Sequence, residues 1–113
     1  SDAPVVKLVN LVITEAVQLR ASDIHIEPFE DRVRIRSRIE GPLVERDNPP
    51  RRVLGAILSR MSDTAASDGY NLHLENGKVQ VNLSKRWLDD ALRVARRDRL
   101  VMDSGYAVPR FHE

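Results

Sequence analysis

The 113-residue sequence contains no cysteine, only five glycines, few aromatic residues and no long hydrophobic run. Without cysteine, the chain can form neither a disulfide nor a thiolate zinc site. Its longest apolar run is far shorter than the roughly 20 residues that a membrane-spanning helix needs. The scattered glycines do not form the Gly-x-x-x-x-Gly-Lys-Ser/Thr loop that cradles nucleotide phosphates. With no serine or cysteine nucleophile motif either, the sequence offers no familiar catalytic apparatus of its own.

The charge balance of the chain argues against non-specific nucleic-acid binding. Lys and Arg total 18 and Asp and Glu total 17, giving a net charge of +1, whereas such binders usually carry a clear basic excess. The proportions of hydrophobic (42%) and charged (31%) residues are those of an ordinary globular domain. We expect one domain over residues 1–113, with its core at 2–99 and a tail at 100–113. No signal peptide is visible, so a cytoplasmic location is expected.

The stretch from Ala21 to Gly41 contains two alternating segments on either side of a short acidic turn. In each segment apolar residues alternate with polar ones, which is typical of a strand buried on one side. The short join favours an antiparallel hairpin. One predicted face is aliphatic, formed by Ile24, Ile26, Val33, Ile35 and Ile39. The other carries Asp23, His25 and Glu27 on the first strand, followed by a ladder of four arginines, Arg32, Arg34, Arg36 and Arg38.

The remaining patterns complete an α+β domain. Its predicted order is helix, two strands, helix, two strands, helix, with a four-stranded antiparallel sheet, helices mainly on one face and a PAS-like topology. The predicted elements are a helix from about Pro4 to Arg20, the hairpin, a short strand at Leu43–Glu45, a helix from about Pro49 to Ser62, a loop at Asp63–Gly69, a second hairpin at Tyr70–Ser84 turning at Asn76-Gly77, a third helix from about Lys85 to Arg97, and short tail segments at Val101–Met102 and Tyr106–Val108.

The same periodicities predict the core. We expect aliphatic side chains of the helices to pack on the apolar faces of both hairpins. The predicted core residues are Val5, Leu8, Val12, Leu19, Ile24, Ile26, Val33, Ile35, Leu54, Ile57, Leu58, Leu72, Val79, Val81 and Leu92.

The arginine ladder is the strongest functional feature, and it has three interpretations. It could be a solvated face paired with nearby acids, namely Glu27, Glu30, Asp31 and Glu40, which stabilises a protein only slightly. It could instead contact phosphates or an acidic protein surface, since a guanidinium matches phosphate with two hydrogen bonds. Nucleic acid is the least favoured partner, because Phe29 is the only ring near the ladder for base stacking. A metal site at His25 and Glu27 lacks a third ligand, so no metal is expected.

Three segments carry a family resemblance. They are Asp2–Asn10, the run Ala21-Ser22-Asp23-Ile24-His25-Ile26-Glu27-Pro28, and Arg36–Gly41. Over about residues 2–61 the chain resembles the domain that precedes the motor domain in the ATPases of type II secretion and type IV pilus assembly. Glu40 stands where that family usually has Asp. After Met61 the sequence departs from the family pattern, since Asp68-Gly69 arrives early and is followed by Tyr70.

The resemblance implies a non-catalytic domain that folds over the nucleotide site of a motor domain in a hexamer. Arg36 and Arg51 match the family positions that approach the phosphates. A partner-contacting face would include Arg32, Arg34, Arg38, His25 and Glu27. The chain alone would bind no cofactor, and ATP and Mg²⁺ would bind only with a motor domain.

The expected partners are a secretion or pilus motor domain or a neighbouring subunit, with homo-oligomers possible in the parent assembly. Neither nucleic-acid binding nor direct membrane insertion is expected, although the family allows a position peripheral to the inner membrane. The alternative is a stand-alone adaptor or sensor module that has lost nucleotide contact and binds a protein through its sheet face. A divergent second half would favour this alternative.

Overall fold

The computed structural model describes residues 3–83, 102–103 and 106–109. Two helices and five strands form the main body, and two further short strands pair with each other. The elements are α1 (Ala3–Gln18), β1 (Asp23–Pro28), β2 (Val33–Arg38), β3 (Leu43–Asp47), a 3-10 turn (Arg51–Val53), α2 (Leu54–Asp68), β4 (Asn71–Glu75), β5 (Lys78–Asn82), β6 (Met102–Asp103) and β7 (Tyr106–Pro109).

The predicted α+β class and antiparallel sheet are confirmed, but the sheet has five strands instead of four. Its order is β3-β2-β1-β5-β4, and every neighbouring pair is antiparallel. The additional strand is β3, which extends the predicted Leu43–Glu45 segment to Asp47 and pairs with the outer edge of β2. The first hairpin therefore lies in the middle of the sheet, where both of its strands have two neighbours.

The core lies between the helices and one face of the sheet. Four of the five aliphatic residues of the first hairpin are almost fully buried, with Ile24, Val33 and Ile35 at 0% exposure, and Ile39 is partly buried. Most of the predicted core is confirmed as buried: Val5, Val12, Ile24, Ile26, Val33, Ile35, Ile57, Val79 and Val81. Four predicted residues are partly buried against this core: Leu8, Leu54, Leu58 and Leu72. The predicted core list left out several buried residues, including Val9, Ile13, Ala16, Met61, Ala65, Tyr70 and Leu83.

Leu19 was wrongly predicted to lie in the core, since 48% of it is exposed. The helix ends at Gln18, before this residue. Arg20 then adopts a left-handed conformation with φ of 55°, and the Ala21 N–H donates to the Ala16 carbonyl at 2.8 Å. This helix-ending geometry turns the chain toward β1 and leaves Leu19 on the surface. Leu92 lies outside the described residues.

The second helix begins and ends later than predicted, since it starts at Leu54, after the 3-10 turn, instead of near Pro49. The predicted loop at Asp63–Gly69 is wrong, because α2 continues to Asp68. Met61 and Ala65 follow Ile57 at four-residue intervals and extend the buried stripe. The helix ends where Gly69 adopts a left-handed φ of 78° and its N–H bonds to the Ala65 carbonyl.

The second hairpin is confirmed. Asn76 and Gly77 both have positive φ, at 53° and 74°, as a two-residue hairpin turn of the primed type requires. The predicted third helix, Lys85–Arg97, lies outside the described residues. In the tail, β6 and β7 fall on the described parts of the predicted segments. Among the described helices, none is long and apolar enough to cross a membrane.

Candidate functional site

The polar sheet face is the side of the sheet opposite the core. We define it by the polar residues of the three central strands: Asp23, His25 and Glu27 on β1, Arg34, Arg36 and Arg38 on β2, and Lys78 and Gln80 on β5. Because β1 pairs with strands on both sides, its polar residues have two neighbours each. His25, for example, lies opposite Arg36 on β2 and opposite Gln80 on β5. The register therefore places acids between two rows of polar or basic side chains.

The Glu27 cluster, formed by Glu27, Arg34, Arg36 and Lys78, is the centre of this face. Arg34 donates two hydrogen bonds to Glu27 Oε1, from Nε at 3.1 Å and from Nη2. Arg36 Nη2 donates to the same oxygen at 3.1 Å, and Lys78 Nζ lies 2.9 Å from Oε2. One carboxylate thus meets three cations, and the cluster carries a local excess of positive charge.

The electrostatics of this cluster fix the charge state of Glu27. The hydrogen bond from Arg34, followed by that from Lys78, lowers the pKa of Glu27 from its usual 4.5 to about 2. The Glu27 side chain is 12% exposed, whereas that of Lys78 is 63% exposed. Glu27 therefore remains ionised at neutral pH and is shielded from solvent, while the cation of β5 reaches solvent.

A second group surrounds Asp23 at the other end of β1. Burial acts to raise the pKa of Asp23, but the Ser22 hydroxyl and His25, with the charge of Arg38, together lower it below its usual value. The Ser22 hydroxyl donates to Asp23 Oδ1 at 2.6 Å, and His25 Nε2 contacts Oδ2. Arg38 Nε lies 3.3 Å from Oδ1, and its Nη1 donates to the Gly41 carbonyl at 2.8 Å. Arg38 is thus held apart from the Glu27 cluster.

The third group lies at the β1–β2 turn. The guanidinium groups of Arg32 and Arg34 lie 4.5 and 4.9 Å from the centre of the Phe29 ring, in cation–π contact. Arg51, in the 3-10 turn, donates from Nη1 to the Phe29 carbonyl at 2.6 Å. Arg32 also pairs with the exposed carboxylate of Asp31 at 3.4 Å. The turn therefore gathers three arginines around one aromatic residue.

The predicted site residues are thus divided among three groups. Arg34 and Arg36 converge on Glu27, Arg38 joins His25 at Asp23, and Arg32 and Arg51 lie at the turn. Arg36 and Arg51 are not in one cluster. An isolated backbone β-bridge joins Arg32 to Pro50, the residue before Arg51. Arg32 is four residues from Arg36, so about 13 Å of extended strand separates Arg36 from this turn.

Sequence reasoning missed Lys78 as a member of the site. It had predicted the second hairpin but not that β5 would pair with β1, and this long-range pairing brings Lys78 to Glu27. Ion pairs between the ladder arginines and nearby acids are one of the predicted interpretations, and Glu27 and Asp31 do form such pairs. Within the part of the chain that the structure describes, no three acidic or histidine side chains are grouped to hold a metal ion.

Comparison with known proteins identifies relatives of this chain. The family described as "Type II/IV secretion system protein" matches residues 1–97, beyond the 2–61 range that the sequence motifs indicated. Type II secretion system protein E of Xanthomonas campestris pv. campestris is 46% identical over 96 residues, covering 84% of this chain and 17% of that protein. The type IV pilus assembly ATPase PilB of Myxococcus xanthus is 43% identical over 83 residues, covering 73% of this chain and 15% of PilB.

A more distant relative extends the match. Type II secretion system protein E of Pseudomonas aeruginosa is 32% identical over 105 residues, or 89% of this chain and 21% of that protein. The chain thus spans about a fifth or less of the length of these relatives. Since the family match covers most of the chain, this protein belongs to the type II/IV secretion system protein family.

Proposed function

We propose that this chain is a non-catalytic N-terminal-type domain of a type II secretion or type IV pilus ATPase. In this proposal it contacts a motor domain or a neighbouring subunit and presents Arg36 and Arg51 to the phosphates of a nucleotide held there. Relatives named as secretion protein E and as a pilus assembly ATPase support the setting. The proposal places the domain in the cytoplasm, as a part of the parent assembly.

The observation that carries the proposal is the excess of cations over carboxylates in the Glu27 cluster. Here a single carboxylate is shared by Arg34, Arg36 and Lys78. Both described helices pack on the other face of the sheet, so neither of them covers this face. An anionic group is the partner that such a surface would favour.

The two arginines differ in how they are held. Arg36 uses Nη2 for its bond to Glu27, and its Nε is buried without a hydrogen-bond partner within the described structure. A guanidinium has five N–H donors, so the N–H groups at the end of Arg36 that Glu27 does not use would be the ones to meet a phosphate. Arg51 is exposed and anchored to the Phe29 carbonyl, which fixes its position at the turn. With about 13 Å of strand between Arg36 and this turn, the two would contact different parts of a nucleotide and its surroundings.

The test is ATP turnover by the assembled ATPase that contains this domain. We expect Arg36→Ala and Arg51→Ala each to lower kcat by at least about tenfold, because a lost guanidinium removes stabilisation of transition-state charge. Arg52→Ala is the matched control, since Arg52 is also exposed in the same turn and differs from Arg51 by one position. Full turnover in the Arg36/Arg51 double variant would refute the nucleotide contact.

The alternative remains an adaptor that binds a protein partner through the polar sheet face without nucleotide. The internal pairing of Arg34 with Glu27 and of Arg38 with Asp23 favours it, because paired arginines need no phosphate. Against the adaptor, the family match continues to residue 97. The second half of the chain is therefore not divergent, and this argument for a stand-alone module is removed. An adaptor would lose partner binding, and keep normal turnover in the assembly, when Arg34 and Arg38 are replaced.

A further inference from the structure

We propose that Lys78 is a further phosphate-contacting cation beside Arg36, placed there because Glu27 holds Arg34, Arg36 and Lys78 together. This inference rests on the proposed function and extends its site to a strand outside the first hairpin. Lys78 is the first residue of β5, directly after the Asn76-Gly77 turn. The ligand class is an oligophosphate, such as the phosphate chain of a nucleotide.

Glu27 is less exposed to solvent than the three cations that it contacts. Its side chain is 12% exposed, while those of Arg34, Arg36 and Lys78 are 27%, 24% and 63% exposed. The two oxygens of Glu27 divide the cations, since both arginines bond to Oε1 and the lysine bonds to Oε2. Glu27 therefore acts as a positioning residue that holds three more exposed cations together on the polar sheet face.

Charge and donor count make phosphate a fitting ligand for this arrangement. Three cations against one carboxylate leave a positive excess that would balance the charge of a phosphate dianion. The guanidinium groups fix donor directions, while the ammonium group of a lysine acts as a mobile point charge with three donors. Lys78 needs only to turn its exposed end from Glu27 to an anion above the cluster.

A second acid, Glu75, lies close enough to compete with Glu27 for Lys78. Glu75 lies opposite Lys78 in the β4–β5 register, but its side chain is 73% exposed and its carboxylate lies 3.5 Å from His73 Nε2. Lys78 instead forms an ion pair with Glu27, at 2.9 Å. Lys78 is thus directed toward the centre of the polar sheet face and its arginines.

The test is titration of the 113-residue chain with sodium tripolyphosphate, followed by NMR of the backbone and side-chain N–H signals. We expect signals of Lys78, Arg34 and Arg36 to shift together. Lys78→Ala should weaken binding by about fivefold, as expected for loss of one solvent-exposed charge contact, and Lys78→Arg should retain it. Lys7→Ala is the matched control, because it removes one exposed lysine from α1, on the other side of the sheet.

The outcomes separate this inference from the proposed function. Equal binding by the wild type and Lys78→Ala, or equal weakening by Lys7→Ala, would overturn the role of Lys78. So would the absence of any tripolyphosphate binding by the folded wild-type chain. The proposed function would survive those results if Arg36→Ala still slowed turnover in the assembled ATPase, and it would fall if that variant turned over normally.

Discussion

Replacing Glu27 with Gln tests whether one carboxylate holds the polar sheet face together. The substitution keeps the size and shape of the side chain but removes its charge. It leaves Arg34, Arg36 and Lys78 close to one another without their shared anion. We therefore expect a loss of stability at neutral pH, arising from lost charge-assisted hydrogen bonds and from repulsion among the cations.

The magnitude follows from the pKa of Glu27. A pKa of about 2 in the folded chain, against the ordinary 4.5, corresponds to at most about 3 kcal/mol of stability at neutral pH. The most exposed partner, Lys78, is screened by solvent, and exposed pairs contribute little. We therefore expect Glu27→Gln to lower the free energy of unfolding by about 2 kcal/mol at pH 7.

The pH dependence gives the sharper measurement. Because the folded-state pKa is depressed, the contribution of Glu27 is fully present above about pH 4.5 and is lost as pH falls toward 2. Urea unfolding of both proteins from pH 7 to pH 2.5 should show their stability difference shrinking across that window. Asp23 also titrates at low pH, but it is common to both proteins and cancels in the difference.

Glu30→Gln provides the control, since Glu30 is an exposed acid in the same hairpin turn. It should change stability by less than about 0.5 kcal/mol, as at ordinary surface positions. A Glu27→Gln difference that stayed constant from pH 7 to pH 2.5 would refute the reasoning, because it would trace the loss to packing instead of to charge.

Three further outcomes are expected. Ile35→Ala should cost about 2–5 kcal/mol in urea unfolding because Ile35 is fully buried, whereas Leu19→Ala, at a half-exposed position, should cost far less. Gly69→Ala should lower the melting temperature through a loss of about 1 kcal/mol, because its φ of 78° disfavours any side chain although space is available; an unchanged melting temperature would contradict this. The chain alone should release no phosphate from ATP above background, since its sequence has no phosphate-binding loop; turnover by clean protein would contradict that.

The local elements of this fold could be predicted because their signals are local. The alternation of Ile24 and Ile26 with charged residues, and the Asn76-Gly77 turn, each specify a structure within a few residues. The end of α2 could not be predicted in the same way. Its last turns consist of small and polar residues that also suit a loop, and the packing of Ala65 against the core favours the helix there.

The candidate site was predictable only in part, for the same physical reason. The arginines of β2 were visible from their spacing, and the hairpin placed them opposite the acids of β1. The spacing of residues does not show which strand of the second hairpin pairs with β1, because that pairing is a long-range contact. The presence of Lys78 in the site is therefore seen only in the tertiary structure. The position of Arg51 at the β1–β2 turn, away from Arg36, is likewise seen only there.

The ion pairs of the first hairpin serve the alignment of its two strands as well as their stability. The β1–β2 register places Glu27 opposite Arg34 and Asp23 opposite Arg38, while Ile26 lies opposite Ile35. A slip by one residue would break these pairs and turn the β2 arginines into the core, where unpaired charges are very costly. Core and polar face thus specify the same register independently. The register also fixes the direction of the arginine side chains. Variants that weaken the Glu27 cluster should therefore make the Arg36 side chain more mobile before they unfold the sheet.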